Sequence, residues 1–139
     1  MIKNYYYLIV GLLSILLSFT HAWFGQTTVL SLIDASNIDI TTKTAVFYTW
    51  HMSTAENLIF GIAFIIMAFY NDLSKVKFAA WLMVAIVVVQ YAVFFGSTLV
   101  KNSNGLQYAL PELIALIIYV TLIILGISKR DKFPHGYDY

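Results

Sequence analysis

Four runs of about 20 apolar residues, each bounded by charge or by turn residues, decide what this chain can become, because about 20 helical residues cross a hydrocarbon core of about 30 Å. They cover residues 5–24, 45–70, 78–99 and 108–127, with polar connections at 26–43, 71–77 and 100–105. Backbone exposed to lipid must satisfy its hydrogen bonds within its own helix. The expected fold is therefore all-α, an integral membrane four-helix bundle forming one domain over residues 1–139. Composition agrees: 60% of residues are hydrophobic and 11% charged, far from the soluble norm.

Lys3, Lys75, Lys77, Lys129, Arg130 and Lys132 flank one side of these spans, and Lys43 and Lys101 the other. Positive flanks stay cytoplasmic during insertion, so both termini are expected there. A competing reading takes the apolar run after Lys3 as a signal peptide cleaved near Thr20-His21-Ala22, which would leave three spans. Residues 26–43 mix Val29, Leu30, Leu32, Ile33, Ile38 and Ile40 with Asp34 and Asp39, as in a short amphipathic segment on the outer interface. Pro111 falls in the opening turn of the fourth helix, where a missing N–H costs little.

Several function classes are excluded at once. A net charge of +1 offers no basic surface for a nucleic-acid backbone. With no cysteine there is no disulfide framework, no thiolate metal site and no thiol chemistry. Any cofactor must be held by histidine, carboxylate, amide or backbone.

Charged groups inside spans cost roughly 2.5–3.5 kcal/mol at a helix centre, which makes them functional candidates. There are four here, His21, His51, Glu56 and Glu112, joined by the amides Asn57 and Gln90. At 1.5 Å per residue His21, His51, Glu56, Gln90 and Glu112 fall roughly 18–27 Å from the cytoplasmic ends, in one slab of the outer half. Helical phase sharpens this. Gly11, Ser14, Ser18, His21 and Gly25 share one face of the first helix, a small-residue stripe of the kind that lets helices approach closely in lipid. Trp50, Ser53, Thr54, Asn57 and Gly61 share a face of the second, with Glu56 and His51 on opposite shoulders about 140° apart. In the third Met83, Gln90, Phe94 and Ser97 align, and in the fourth Glu112, Ala115, Tyr119 and Gly126.

Each helix is thus expected to offer a polar group to one interior pocket, with His21, Glu56 and Glu112 converging and His51 nearer the outer mouth. Two desolvated carboxylates cannot both stay charged without cations, so at least one of Glu56 and Glu112 is expected to be neutral at pH 7. The plain alternative is that these groups only hydrogen-bond one another as interhelical glue. Trp23, Tyr48 and Trp50 are expected in the interfacial aromatic belt.

Certain residues also carry a resemblance: Gly11-Leu12-Leu13 and His21-Ala22-Trp23-Phe24-Gly25 in the first helix, Ala55-Glu56-Asn57-Leu58-Ile59-Phe60-Gly61 in the second, and Pro111-Glu112-Leu113 with Gly126 in the fourth. This layout resembles the DoxX-like family of small four-span bacterial membrane proteins. Ala22 and Trp23 depart from the glycine and Lys-Leu-Phe-Gly-like ending usual there, as do the long outer connection and the Trp50-His51 pair. The resemblance implies an inner-membrane protein associated with quinone-linked or thiol redox systems, often as an accessory subunit.

Four functions stay open. Ligand binding by His21, Glu56, Asn57, Gln90 and Glu112 suits a small apolar molecule such as a quinone, which needs an apolar slot and hydrogen-bonding partners for its oxygens. A metal held by His21, His51, Glu56 and Glu112 is chemically reasonable, though no ligand spacing motif is present. Haem b could take His21 and His51 as axial ligands. A non-catalytic assembly or scaffold subunit needs none of these. Whether the chain is an enzyme stays open; a small four-span protein is expected to associate with itself or with a partner in the bilayer.

Overall fold

The structure is a computed structural model, and it describes residues 1–101 and 106–129; the expected cations Arg130 and Lys132 and most of the 100–105 connection lie outside the described residues. Its helices are α1 Tyr5–Phe24, which runs through a π-helical turn Gly25–Val29 into α2 Leu30–Ala35, then α3 Ile40–Phe69, α4 Leu73–Lys101 and α5 Leu106–Ser128. Four stretches are long and apolar enough to cross a membrane: Tyr5–Ala35, Ile40–Phe69, Leu73–Lys101 and Ala109–Ser128. The chain thus has the character of a multi-pass membrane protein.

Three expectations about the connections are corrected. Residues 26–35 are helical and continue α1, because Thr27 and Ser31 bond back to carbonyls of their own helix instead of competing for a turn, Thr27 Oγ1 to Trp23 O at 2.8 Å and Ser31 Oγ to Thr27 O at 3.2 Å. Only residues 36–39 connect the first hairpin. Both α3 and α4 begin five residues earlier than the apolar runs do, because an aspartate caps each. Asp39 Oδ1 accepts from Thr42 N at 3.0 Å and its Oδ2 from Thr42 Oγ1 at 2.6 Å. Asp72 accepts from the backbone N–H of Ser74 at 3.1 Å and from its hydroxyl, and pairs with Lys75 at 3.4 Å. Such caps satisfy amides at helix starts that have no intrahelical partner. Pro111 is not in the first turn either: it sits inside α5, where it removes one backbone donor and the helix runs on.

Many helix hydroxyls follow one rule, shown by Thr20 to Leu16 O at 3.1 Å, Thr44 to Ile40 O at 2.9 Å, Thr98 to Phe94 O at 2.9 Å and Ser128 to Ile124 O at 2.9 Å. Each donates one turn back along its own helix, so its proton is satisfied without water. Such hydroxyls tolerate a lipid environment.

The chain divides into two compact units. Residues 9–66 form one, the hairpin of α1, the π turn, α2 and most of α3. Its helices meet backbone to backbone. A Cβ built on Gly11 would lie 2.8 Å from Gly61 O, and one on Gly61 would lie 2.9 Å from Gly11 O. Only glycine fits at either position, which explains why Gly11 heads the small-residue stripe.

The other unit joins residues 1–8 to residues 67–139. It is tied at one end by Asn4, which has 0% of its surface exposed. The backbone amides of Lys3 and Asn4 both donate to Ala68 O, at 2.8 and 3.0 Å, in the last turn of α3. Asn4 Nδ2 donates to Gly126 O near the end of α5 at 2.8 Å, while its Oδ1 accepts from Tyr7 N at 3.3 Å and caps α1. Carbonyls in a last helical turn lack the usual intrahelical donors, so Lys3 and Asn4 satisfy Ala68 O, and Asn4 adds a second donor to Gly126 O, which also accepts from Lys129 N at 3.3 Å. Tyr7 is buried against Gly126, whose missing Cβ would lie 2.4 Å from its ring.

Asn4→Ala should lower stability by about 1–3 kcal/mol in a denaturant titration of the reconstituted protein, since it removes a buried hydrogen bond to Gly126 O and the cap of a helix start. Asn4→Asp keeps the capping oxygen but cannot donate to Gly126, and should do no better than alanine. The aspartate caps give a second expectation. The Thr42 hydroxyl holds the Asp39 carboxyl below the usual aspartate range, and the Ser74 hydroxyl, then Lys75, do the same for Asp72. A depressed carboxyl stabilises the fold above its unfolded pKa of about 4, and that contribution is lost as pH falls through the lower folded value. Carboxyl 13C titrations should show both midpoints depressed, with Thr42→Val moving Asp39 back up and leaving Asp72 unchanged.

Candidate functional site

Within the 9–66 unit, the small-residue stripe of α1 faces α3 and leads to His21. Ser14 and Ser18 are buried, and Ser18 Oγ donates to Thr54 O at 2.9 Å. One turn further along, His21 is half-buried with Nδ1 2.9 Å from Thr54 Oγ1. Its ring lies against the indole of Trp50, with centroids 4.4 Å apart and planes 12° from parallel. Trp50 Nε1 donates to the backbone carbonyl of His21 at 3.1 Å. Three contacts from one face of α3 therefore fix the imidazole.

Gly25 completes the arrangement. A Cβ there would lie 1.9 Å from Trp50 Nε1, so the indole reaches its place only because residue 25 has no side chain. Gly25 also opens the π turn, where Leu30 N–H bonds to Gly25 O. A π turn inserts a residue into a helix and re-aims the side chains around it, and such turns recur at functional sites.

The Thr54 hydroxyl carries a single proton. It has Trp50 O at 3.2 Å and His21 Nδ1 at 2.9 Å within reach, so which of the two groups donates in the His21–Thr54 bond follows from the tautomer of the imidazole.

The stripe ending at His21 is placed as its spacing implied. Trp50 takes a part that its expected belt role did not include: its indole packs on α1 within this cluster. Glu56 and Asn57 are half-buried in the same unit, and His51 is exposed. With Trp50 turned toward α1, the next residue points about 100° further round α3. Gln90 and Glu112 belong to the other unit and are exposed. The buried face of α4 carries Leu73, Ala80, Val84 and Val87, and Gln90 stands about 60° off Val87. In α5 the buried residues are Ala109, Ile123, Gly126 and Ile127, and Glu112 stands about 60° off Ala109.

No group of three or more His, Asp or Glu able to hold a metal ion occurs among the described residues.

Gly25→Ala should push the Trp50 indole off His21. In 1H–15N spectra the Trp50 indole resonance should move as its bond to His21 O breaks, while the Trp81 indole stays in place.

Compared with protein-family profiles, with curated proteins and with solved structures, the chain finds no match.

Proposed function

We propose that this chain is a four-span protein of a bacterial inner membrane, with both termini cytoplasmic, whose His21 site in the outer half binds a small apolar ligand bearing oxygen, of the quinone class, as an accessory part of a redox system. The observation that carries the reading is the immobilised imidazole. Its ring face is held by Trp50 and its Nδ1 by Thr54, in a half-buried position beside apolar helix surface. Helix packing alone requires no such orientation. A ligand site does, because one oriented polar group in an apolar wall is what fixes a small hydrophobic molecule. Glu56 and Asn57, half-buried on the same helix as Thr54, supply further polar groups, and the resemblance to DoxX-like proteins supplies the redox context. Glu112, exposed on an apolar span, is the kind of group that a second copy or a partner subunit covers in lipid.

The rival reading is a scaffold in which the same cluster is glue. It is favoured by the fact that Ser18, His21, Thr54 and Trp50 bond one another across α1 and α3.

Organic extraction of the purified protein separates the two. Wild type should release a stoichiometric quinone, and His21→Ala should lose it by about tenfold or more while remaining folded, as expected when a ligand's oriented polar partner is removed. A folded wild type that releases none supports the scaffold.

A further inference from the structure

The hydrogen bonds that close the unit of residues 1–8 and 67–139 also gather its cations. Lys3 and Asn4 donate their backbone amides to Ala68 O at the end of α3, and Asn4 Nδ2 and Lys129 N both donate to Gly126 O near the end of α5. The start of α4, with Lys75 and Lys77, follows the end of α3 across residues 70–72. Lys3, Lys75, Lys77 and Lys129 therefore stand at one end of the unit, and Lys101 at the other end of α4. Among the described residues this end has one carboxylate, Asp72, which is engaged by Lys75 at 3.4 Å and by Ser74. Positive charge is left in excess.

Aromatic rings mark the level of these charges. Tyr5 and Tyr70 are exposed at the same end, and exposed tyrosines at the end of an apolar span sit among lipid headgroups. Lys129 Nζ lies over the Tyr5 ring, 5.4 Å from its centroid, so a cation–π contact holds this ammonium at headgroup depth. Lys3 and Lys77 are half-buried, as when apolar stems lie along a helix surface and carry the charge outward. We propose that this end binds the headgroup phosphate of an anionic phospholipid, one that carries no ammonium of its own, with Lys3 and Lys129 at the centre. Compact ammonium groups with three donors each suit the oxygens of a phosphate, whereas a zwitterionic headgroup would bring its own cation against them. Below this level the unit exposes Phe78 and Leu125, apolar surface that suits acyl chains and selects a lipid over free phosphate. A positive flank that only directs insertion needs charge and nothing more. Here the two central lysines are pinned through the buried Asn4, so little order is lost when a headgroup arrives. The inference needs the chain to lie in a bilayer and is independent of any ligand at His21.

The test reconstitutes the full chain in vesicles of equal parts phosphatidylglycerol and phosphatidylcholine and counts, by native mass spectrometry, the lipids each released protein retains. Wild type should retain phosphatidylglycerol in preference, and less so as salt rises. Lys3→Gln and Lys129→Gln should each lower that preference by about fivefold, the worth of one lysine near an anionic surface, while Lys3→Arg and Lys129→Arg keep it and Lys101→Gln leaves it unchanged. Tyr5→Leu retains every charge that directs insertion, so the weaker preference expected of it reports the lost ring contact, and Tyr5→Phe should restore the wild-type value. Equal retention of the two lipids by the folded wild type, or a loss in Lys101→Gln as large as in Lys129→Gln, overturns the inference. Displacement of the retained lipid by inorganic phosphate beyond that caused by chloride of equal ionic strength assigns the site to free phosphate and overturns it as well.

Discussion

Gly11 and Gly61 let the backbones of α1 and α3 touch, and the organisation of residues 9–66 depends on that contact. In lipid there is no hydrophobic force to drive two apolar helices together, so association relies on close van der Waals packing and on hydrogen bonds that need short separations. A side chain at either glycine would collide with the opposing carbonyl and lever the helices apart. The Ser18 hydroxyl would then no longer reach Thr54 O, nor Nδ1 of His21 the Thr54 hydroxyl. The polar cluster is thus a consequence of the glycine crossing. Its energetic role is mutual: the close approach makes the bonds possible, and the bonds fix one rotation of α1 against α3.

The same economy governs how polar side chains survive in so apolar a chain. Most helix hydroxyls return their proton to their own backbone and are spent there. Thr54 reaches its own backbone too, yet its hydroxyl also bonds Nδ1 of His21, which turns a routine back-bond into a means of orienting an imidazole. Asn4 uses both halves of its amide, one to start α1 and the other to satisfy a carbonyl near the end of α5. In each case a polar group is kept because every hydrogen bond it offers is used, as burial demands.

Much of this was legible in the residues. The run 5–24 coincides with α1, and the stripe from Gly11 to Gly25 faces α3 as its helical phase implies, because the period of an α-helix fixes which residues share a face. The helix starts were less legible, although Asn4, Asp39 and Asp72 each stand immediately before a first helical residue, a capping signal that apolar run-length passes over. Residues 26–35 read as a loop because a run of Gln, Thr and Ser is polar by composition, while the hydrogen bonds that keep it helical are internal. The place of Trp50 against His21 was hidden for a related reason: only tertiary contact reveals that a glycine 25 positions away has left room for its indole. Asn4 could be recognised as a cap, yet no local pattern announces a partner 122 residues distant.

The central claim is that the glycine crossing of α1 and α3 places the imidazole of His21 face to face with the indole of Trp50. Magic-angle-spinning NMR of the full chain in lipid, with histidine and tryptophan selectively labelled, measures this directly through ring-to-ring contacts. The account predicts strong His21–Trp50 cross-peaks in the wild type, lost in Gly61→Leu although the protein remains helical and membrane-inserted. Absence of the cross-peaks in the wild type, or their persistence at full strength in Gly61→Leu, would contradict it.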